Sequence, residues 1–271
     1  MKRFIIASLF ALACCMTIEA QQPLTHPWSG KRIAYFGDSI TDPNNNTATV
    51  KFWQLFEQWL GTTSYVYAVS GYEWNTIPLQ ANQLKQQHGD DFDAIIIFIG
   101  TNDFNAGIPI GQWFTESVEQ VEAATGQPKT LQQRIMRQPA MDPNTYRGRI
   151  NIALDSLKRM FPQKQIVLLT PIHRAFANFG DRNLQPSEAY QNKCGEWMDA
   201  YVESVKEAGN LWAYPVIDMN ALCGLYPLQE ENLIYFANPD TDQLHPNNLG
   251  HERMAKTLYY QLLTLPCGLL E

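Results

Sequence analysis

The chain has 271 residues with 20 basic and 27 acidic side chains, a formal charge of −7 at neutral pH. That balance argues against a nucleic-acid partner, and no local run of Lys and Arg reverses it. No tract rich in Pro, Gly or Ser divides the chain, so residues 21–271 are read as one domain.

In chain order, residues 1–20 come first. Lys2 and Arg3 precede an apolar run from Phe4 to Met16, and Ala20 is a small residue suited to cleavage. This is the pattern of an export signal, with a buried helix as the alternative. The apolar run is shorter than the roughly 20 residues a membrane span takes. The expectation is therefore a periplasmic or extracellular protein with no transmembrane segment in the mature chain. Ala11-Leu12-Ala13-Cys14 loosely matches a lipoprotein signal, which makes anchoring through Cys14 a second reading. Cys194, Cys223 and Cys267 remain at wide spacings with no Cys-x-x-Cys pair, which speaks against zinc. One disulfide and one free thiol fit an oxidising compartment, and the spacing does not choose the pair. No metal or cofactor is expected.

Strand-length apolar runs occur at 32–37, 65–70, 94–100, 165–171 and 213–218. "AIIIFIG" and "QIVLLTP" are continuously apolar, as strands covered on both faces are. Helical spacing predicts helices over 49–60, 75–88, 144–161, 186–209 and 247–264. In the first, Phe52, Leu55, Phe56, Trp59 and Leu60 form a core-facing stripe that Gly61 ends. The alternation predicts an α/β fold with a parallel sheet between helices, whose ligands bind beyond the carboxyl ends of the strands. Residues 103–143 are too long for an ordinary connection and are read as an insertion with some helix of its own, flanking the site.

The chemistry-bearing residues fall at the strand ends. "GDSIT" places Ser39 after the first strand, "SGYEWNT" places Gly71 after the second, and "GTND" places Asn102 after the third. Near the C-terminus, "DQLHP" sets Asp242 three residues before His245. Each motif alone is a weak signal and reads as ordinary turn or cap chemistry, with Pro246 in the first turn of the last helix. Together they cover what a serine hydrolase needs. His245 would take the Ser39 proton, and Asp242 would orient the imidazole. The Ser39 and Gly71 backbone N–H groups and the Asn102 amide would serve as oxyanion donors.

With these four blocks in order over roughly 31–264, the chain resembles the SGNH (GDSL) esterase–lipase superfamily. The resemblance implies a flavodoxin-like three-layer α/β/α sandwich with a five-stranded parallel sheet in the order 2-1-3-4-5. It also implies ester hydrolysis by a Ser39–His245–Asp242 triad without a metal, with Ser39, Gly71 and Asn102 as the oxyanion hole. The long insertion and Ser70 in the second block depart from the minimal pattern, and they leave the substrate open.

Three further residues are candidates for substrate contact. Trp74 offers a flat face for a sugar ring, or packs in the core. His173 and Arg174 follow the fourth strand and would lie at the crevice rim, or form a hydrogen-bonded loop pair. His251 is read as a helix-surface residue. Trp113 and Phe114 would cover the site or an interface. Asp42 and Asp103 do not make a defined carboxylate pair of the kind a glycosidase uses. The expected substrate is a small ester, foremost an O-acetyl group on carbohydrate; a lipid ester hydrolase and a non-catalytic carbohydrate-binding protein are the alternatives. Oligomeric state is not legible in the sequence.

Overall fold

The structure, a computed structural model, describes residues 25–122, 130–265 and 267. The expected leader, its cleavage point and Cys14 lie outside the described residues. In chain order the strands are β1 (Arg32–Gly37), β2 (Thr63–Val66), β3 (Ala94–Phe98), β4 (Phe114–Glu122), β5 (Leu131–Pro139), β6 (Gln165–Leu169), β7 (Ala177–Asn178), β8 (Leu184–Gln185), β9 (Val216–Ile217), β10 (Phe236–Asn238) and β11 (Asp242–Pro246). The helices are α1 (Phe52–Leu60), α2 (Ile77–His88), α3 (Thr101–Ala106), α4 (Tyr146–Met160), α5 (Met198–Trp212), α6 (Met219–Leu222) and α7 (Asn248–Leu262).

The central sheet is parallel with five strands in the order β2-β1-β3-β6-β9, the 2-1-3-4-5 arrangement that the resemblance implies. Its pleat divides the core in two. Ile95 and Ile97 point to one side, where they meet α2, α4 and α5 through Leu84, Leu154 and Val205. Ala94, Ile96 and Phe98 point to the other, against α1 and α7 through Phe52, Phe56, Met254 and Leu258. This is why β3 and β6 read as continuous apolar runs.

α1 ends at Gly61, whose φ of 64° closes the helix in the left-handed region as the sequence suggests. The helix expected over 186–209 begins only at Met198. Pro186 has no N–H to give, and Gly195 at φ 85° breaks the chain again, so 186–197 is loop. The insertion also departs from expectation. After the short α3, its bulk is a two-stranded antiparallel ribbon, β4 on β5, rather than helix. A small four-stranded sheet, β10-β11-β7-β8, was not foreseen; its strands are too short to show a period of two. No disulfide joins Cys194, Cys223 and Cys267 to one another. Among the described residues no helix is long and apolar enough to cross a membrane.

Candidate active site

β1 delivers Ser39 to the carboxyl edge of the sheet. Gly37, the last residue of the strand, sits where a Cβ would lie 2.7 Å from the Phe98 carbonyl oxygen, so only glycine permits this approach to β3. The chain then makes one tight turn: Thr41 and Asp42 donate their N–H groups to the Asp38 carbonyl at 3.1 and 2.9 Å. The Asp38 carboxylate accepts from Ile40 N–H at 3.1 Å. Burial pushes the Asp38 carboxyl up to about 7, with the Asp103 charge adding to the rise; the Ile40 N–H and Arg174 pull the other way.

Ser39 Oγ lies 2.8 Å from His245 Nε2, across 206 residues of chain. On the other side of the ring, Nδ1 is 2.9 Å from Asp242 Oδ2 and 3.1 Å from Oδ1. All three side chains are nearly buried. Asp242 Oδ1 also accepts the backbone N–H groups of Leu244 and His245, at 3.2 and 3.0 Å. The short turn thus fixes its own carboxylate before the imidazole meets it. A carboxylate facing Nδ1 selects the tautomer with the proton there, which leaves Nε2 free to accept from the serine hydroxyl. Asn247, in the polar loop read as a cap, then caps α7 by accepting from Leu249 and Gly250 N–H, and Pro246 ends β11 rather than lying in the first turn of the helix.

The loop 70–74 is referenced to this centre from both ends. Ser70 donates N–H and Oγ–H to Asp42 Oδ2 at 2.8 and 2.7 Å. Trp74 donates its N–H to Asp103 Oδ2 at 3.0 Å. Asp42 lies three residues beyond Ser39, and Asp103 directly follows Asn102. Between the clamps, Gly71 holds φ 87°, and the Asn102 amide donates to Tyr72 O at 3.0 Å. Arg149 reaches from α4 to Asp103 Oδ1 at 2.9 Å and to Glu73 at 2.6 Å. Burial pushes the Asp103 carboxyl up to about 7 despite the Trp74 N–H and Arg149.

Ser39, Gly71, Asn102 and His245 line one cleft of about 290 Å³. Phe179 also lines it, with its ring centroid 5.4 Å from that of His245, and Asn45, Asn183 and Gln185 bring amides to its lining. These four residues escaped the sequence reading. The turn signal "NFGDRN" was present, but only the pairing of β7 with β11 carries that turn to the site. No described residue of the 103–143 insertion lines the cleft.

Two candidates for substrate contact require correction. Trp74 is buried in the core with its Nε1–H donated to Tyr146 Oη at 3.1 Å, so its face meets protein rather than a ligand. Arg174 is 0% exposed. Its guanidinium donates to Thr101 O and Oγ1 and to Gln185 Oε1, each at 3.0 Å, and so ties the start of α3 to the cleft rim. His173 keeps partial exposure, but Nδ1 is 2.6 Å from Glu188, which raises its pKa, and the ring packs edge-on against Tyr226. His251 is not on the surface. It is buried against Phe52, accepts that residue's N–H at Nδ1, and burial lowers it to about 3. Trp113 is buried over α5, with Nε1–H donated to Glu207 at 2.6 Å.

Similar proteins agree with this architecture. The chain superposes on a protein from Lactobacillus plantarum with a TM-score of 0.67 and 24% identity, covering 86% of this chain and 97% of that one. It superposes on a protein described as a possible lipase from Chitinophaga pinensis with a TM-score of 0.64 and 19% identity, over 87% and 98% of the two chains. An acetylxylan esterase from Geobacillus stearothermophilus aligns with a TM-score of 0.50 and 17% identity, over 86% and 94%. At such identities these likenesses carry the fold alone. No curated protein matches the chain. The profile of the GDSL-like lipase/acylhydrolase family matches residues 35–253, a span that includes Ser39, the loop 70–74, Asn102 and the Asp242–His245 turn, and the chain belongs to that family.

Proposed function

We propose that the protein is a serine ester hydrolase acting on small esters, foremost O-acetyl groups on carbohydrate. The observation that carries this reading is the continuous relay from Ser39 Oγ through His245 to Asp242, at 2.8 and 2.9 Å. Ser39 Oγ attacks the ester carbonyl while its proton passes to His245 Nε2. Asp242 holds the imidazole and stabilises the cation that forms. The carbonyl oxygen gains negative charge within reach of the Ser39 and Gly71 N–H groups and the Asn102 amide; such donors are typically worth about 2.7–4 kcal/mol each. Collapse breaks the ester C–O bond, and His245 returns the proton to the departing alcohol. Water then attacks the acyl-enzyme, with His245 as base again, and releases the acid and free Ser39.

The preference for a short acyl group rests on the cleft. Its volume of about 290 Å³ is small, and its lining includes the amides of Asn45, Asn183 and Gln185. Amides suit sugar hydroxyls better than an alkyl chain, and Phe179 can flank a sugar ring. The acetylxylan esterase among the similar structures is consistent with this class of substrate. The same proposal has residues 1–20 removed on export, from their charged start and apolar run. Its test is the N-terminal sequence of the exported protein, which should begin at Gln21; a retained leader or acylation at Cys14 contradicts it.

The substrate test is hydrolysis of acetyl, butyryl and octanoyl p-nitrophenyl esters, beside Ser39→Ala. Turnover should favour acetyl and fall by about 10⁴-fold or more in the variant. Activity rising with chain length would favour a lipid ester. An inert wild type that binds glycans would favour a carbohydrate-binding protein.

A further inference from the structure

The insertion carries an element that the chemistry does not use. β4 and β5 pair over nine residues each, from Phe114↔Pro139 to Glu122↔Leu131, and every residue between the Phe114–Pro139 base and the tip is exposed. A lone two-stranded ribbon is at best marginally stable in water, and both its edges are open for pairing. This one is firmly rooted. The Asn151 amide of α4 donates to Trp113 O and Ala140 O, both at 2.9 Å, and so grips both strands at their base. Asn151 Oδ1 in turn accepts from Trp212 at 2.9 Å.

The ribbon's two faces differ. Cross-strand partners share a face, so Glu116, Val118, Gln120 and Glu122 stand beside Arg137, Ile135, Gln133 and Leu131. On this face Val118, Ile135 and Leu131 are 66%, 72% and 67% exposed. Directly paired Val and Ile at such exposure form an apolar spot with water on it, where the solvent-facing side of a ribbon ordinarily carries polar residues. Charge on this face is sorted by strand: β4 brings Glu116 and Glu122 to it and β5 brings Arg137, while Glu119 and Arg134 pair with each other on the opposite face.

We propose that this ribbon is a self-association arm. Two copies of the chain stack their Val118/Ile135 faces about a two-fold axis parallel to the strands. Each acidic β4 then lies over its partner's basic β5, Val118 meets the partner's Ile135, and Glu116 meets the partner's Arg137. A two-fold axis across the strands would instead set β4 on β4 and bring like charges together. The interface is isologous, so it closes at two copies. Nine residues span ~30 Å. A face of that length and about 10 Å width offers roughly 300 Å² per copy, below the ~800 Å² per partner of a standard interface. The dimer should therefore be weak and depend on concentration.

Sedimentation velocity on the chain expressed from Gln21, across the micromolar range, tests this. The wild type should pass from monomer to dimer as concentration rises. The double variant Val118→Asp with Ile135→Asp should stay monomeric, with its melting curve and ester turnover unchanged, since neither residue packs on the body. The pair Val118→Asp with Ile135→Lys should still associate, because each introduced carboxylate lies over an introduced ammonium of the other copy. A wild type that stays monomeric overturns the proposal, as does a dimer that survives the double-Asp change. Loss of association in the Asp/Lys pair overturns the register.

Discussion

Asp38, Asp42 and Asp103 are three buried carboxylates within a few residues of Ser39 and Asn102, and none of them faces the reacting bond. Asp42 and Asp103 each accept a backbone N–H of the loop that carries Gly71, from the serine turn and from α3 respectively. In the proposed mechanism these bonds keep the three oxyanion donors in register. Asp103→Ala should lower kcat by about 10²-fold, comparable with losing one donor, while KM stays within a factor of two. A rise in KM at unchanged kcat would refute that role. Asp38 makes a different prediction. Its folded-state value of about 7 lies above the ordinary aspartate value of 3.8, so between these the folded state holds a proton the unfolded state has lost. Stability from this group is full below the lower value and falls as pH rises through the upper one. Asp38→Asn should therefore gain melting temperature relative to wild type as pH rises from 4 to 7, with the difference levelling off above. A pH-independent difference would contradict this. Asp42 and Asp103 were legible as carboxylates near the site, but the loop residues they hold lie 28 and 29 positions away and leave no local pattern.

At the scale of elements, what could be read followed from burial. β3 and β6 announced themselves because both faces are covered, and α1 because Phe52, Phe56 and Leu60 face one layer. Phe56→Ala should cost about 3–5 kcal/mol, measured by denaturant unfolding, with kcat per folded molecule preserved; a cost below 1 kcal/mol would mean the α1 layer is not a packed core. The second strand was read as reaching Ser70, but pairing stops at Val66 with one further N–H bond at Tyr67, since 68–70 must leave the sheet to form the loop over the cleft. The ribbon was misread because both its faces meet water. "TESVEQVE" and "LQQRIMRQ" alternate mostly polar with polar, so no hydrophobic period marks them as strands. Phe179, Asn183 and Gln185 were invisible as site residues because β7 and β8 are two residues each, too short to announce the sheet that brings them to His245.

In the whole molecule, the parallel sheet gathers Ser39, Gly71 and Asn102 at one edge, and the small sheet returns Asp242 and His245 to that edge from near the C-terminus. Ser39 was legible because its motif stands at a strand end, where open α/β sheets bind ligands, and Asp242 with His245 because both stand in one short motif, which the structure places within β11. The central claim is that Ser39 is a nucleophile activated by His245. It is tested most directly by exposing the chain to a fluorophosphonate ester and mapping the adduct by peptide mass. Wild type should carry one phosphonyl group on Ser39, His245→Ala should label far more slowly, and Ser39→Ala should not label at all. An unlabelled Ser39, or labelling that is indifferent to His245, would contradict the account.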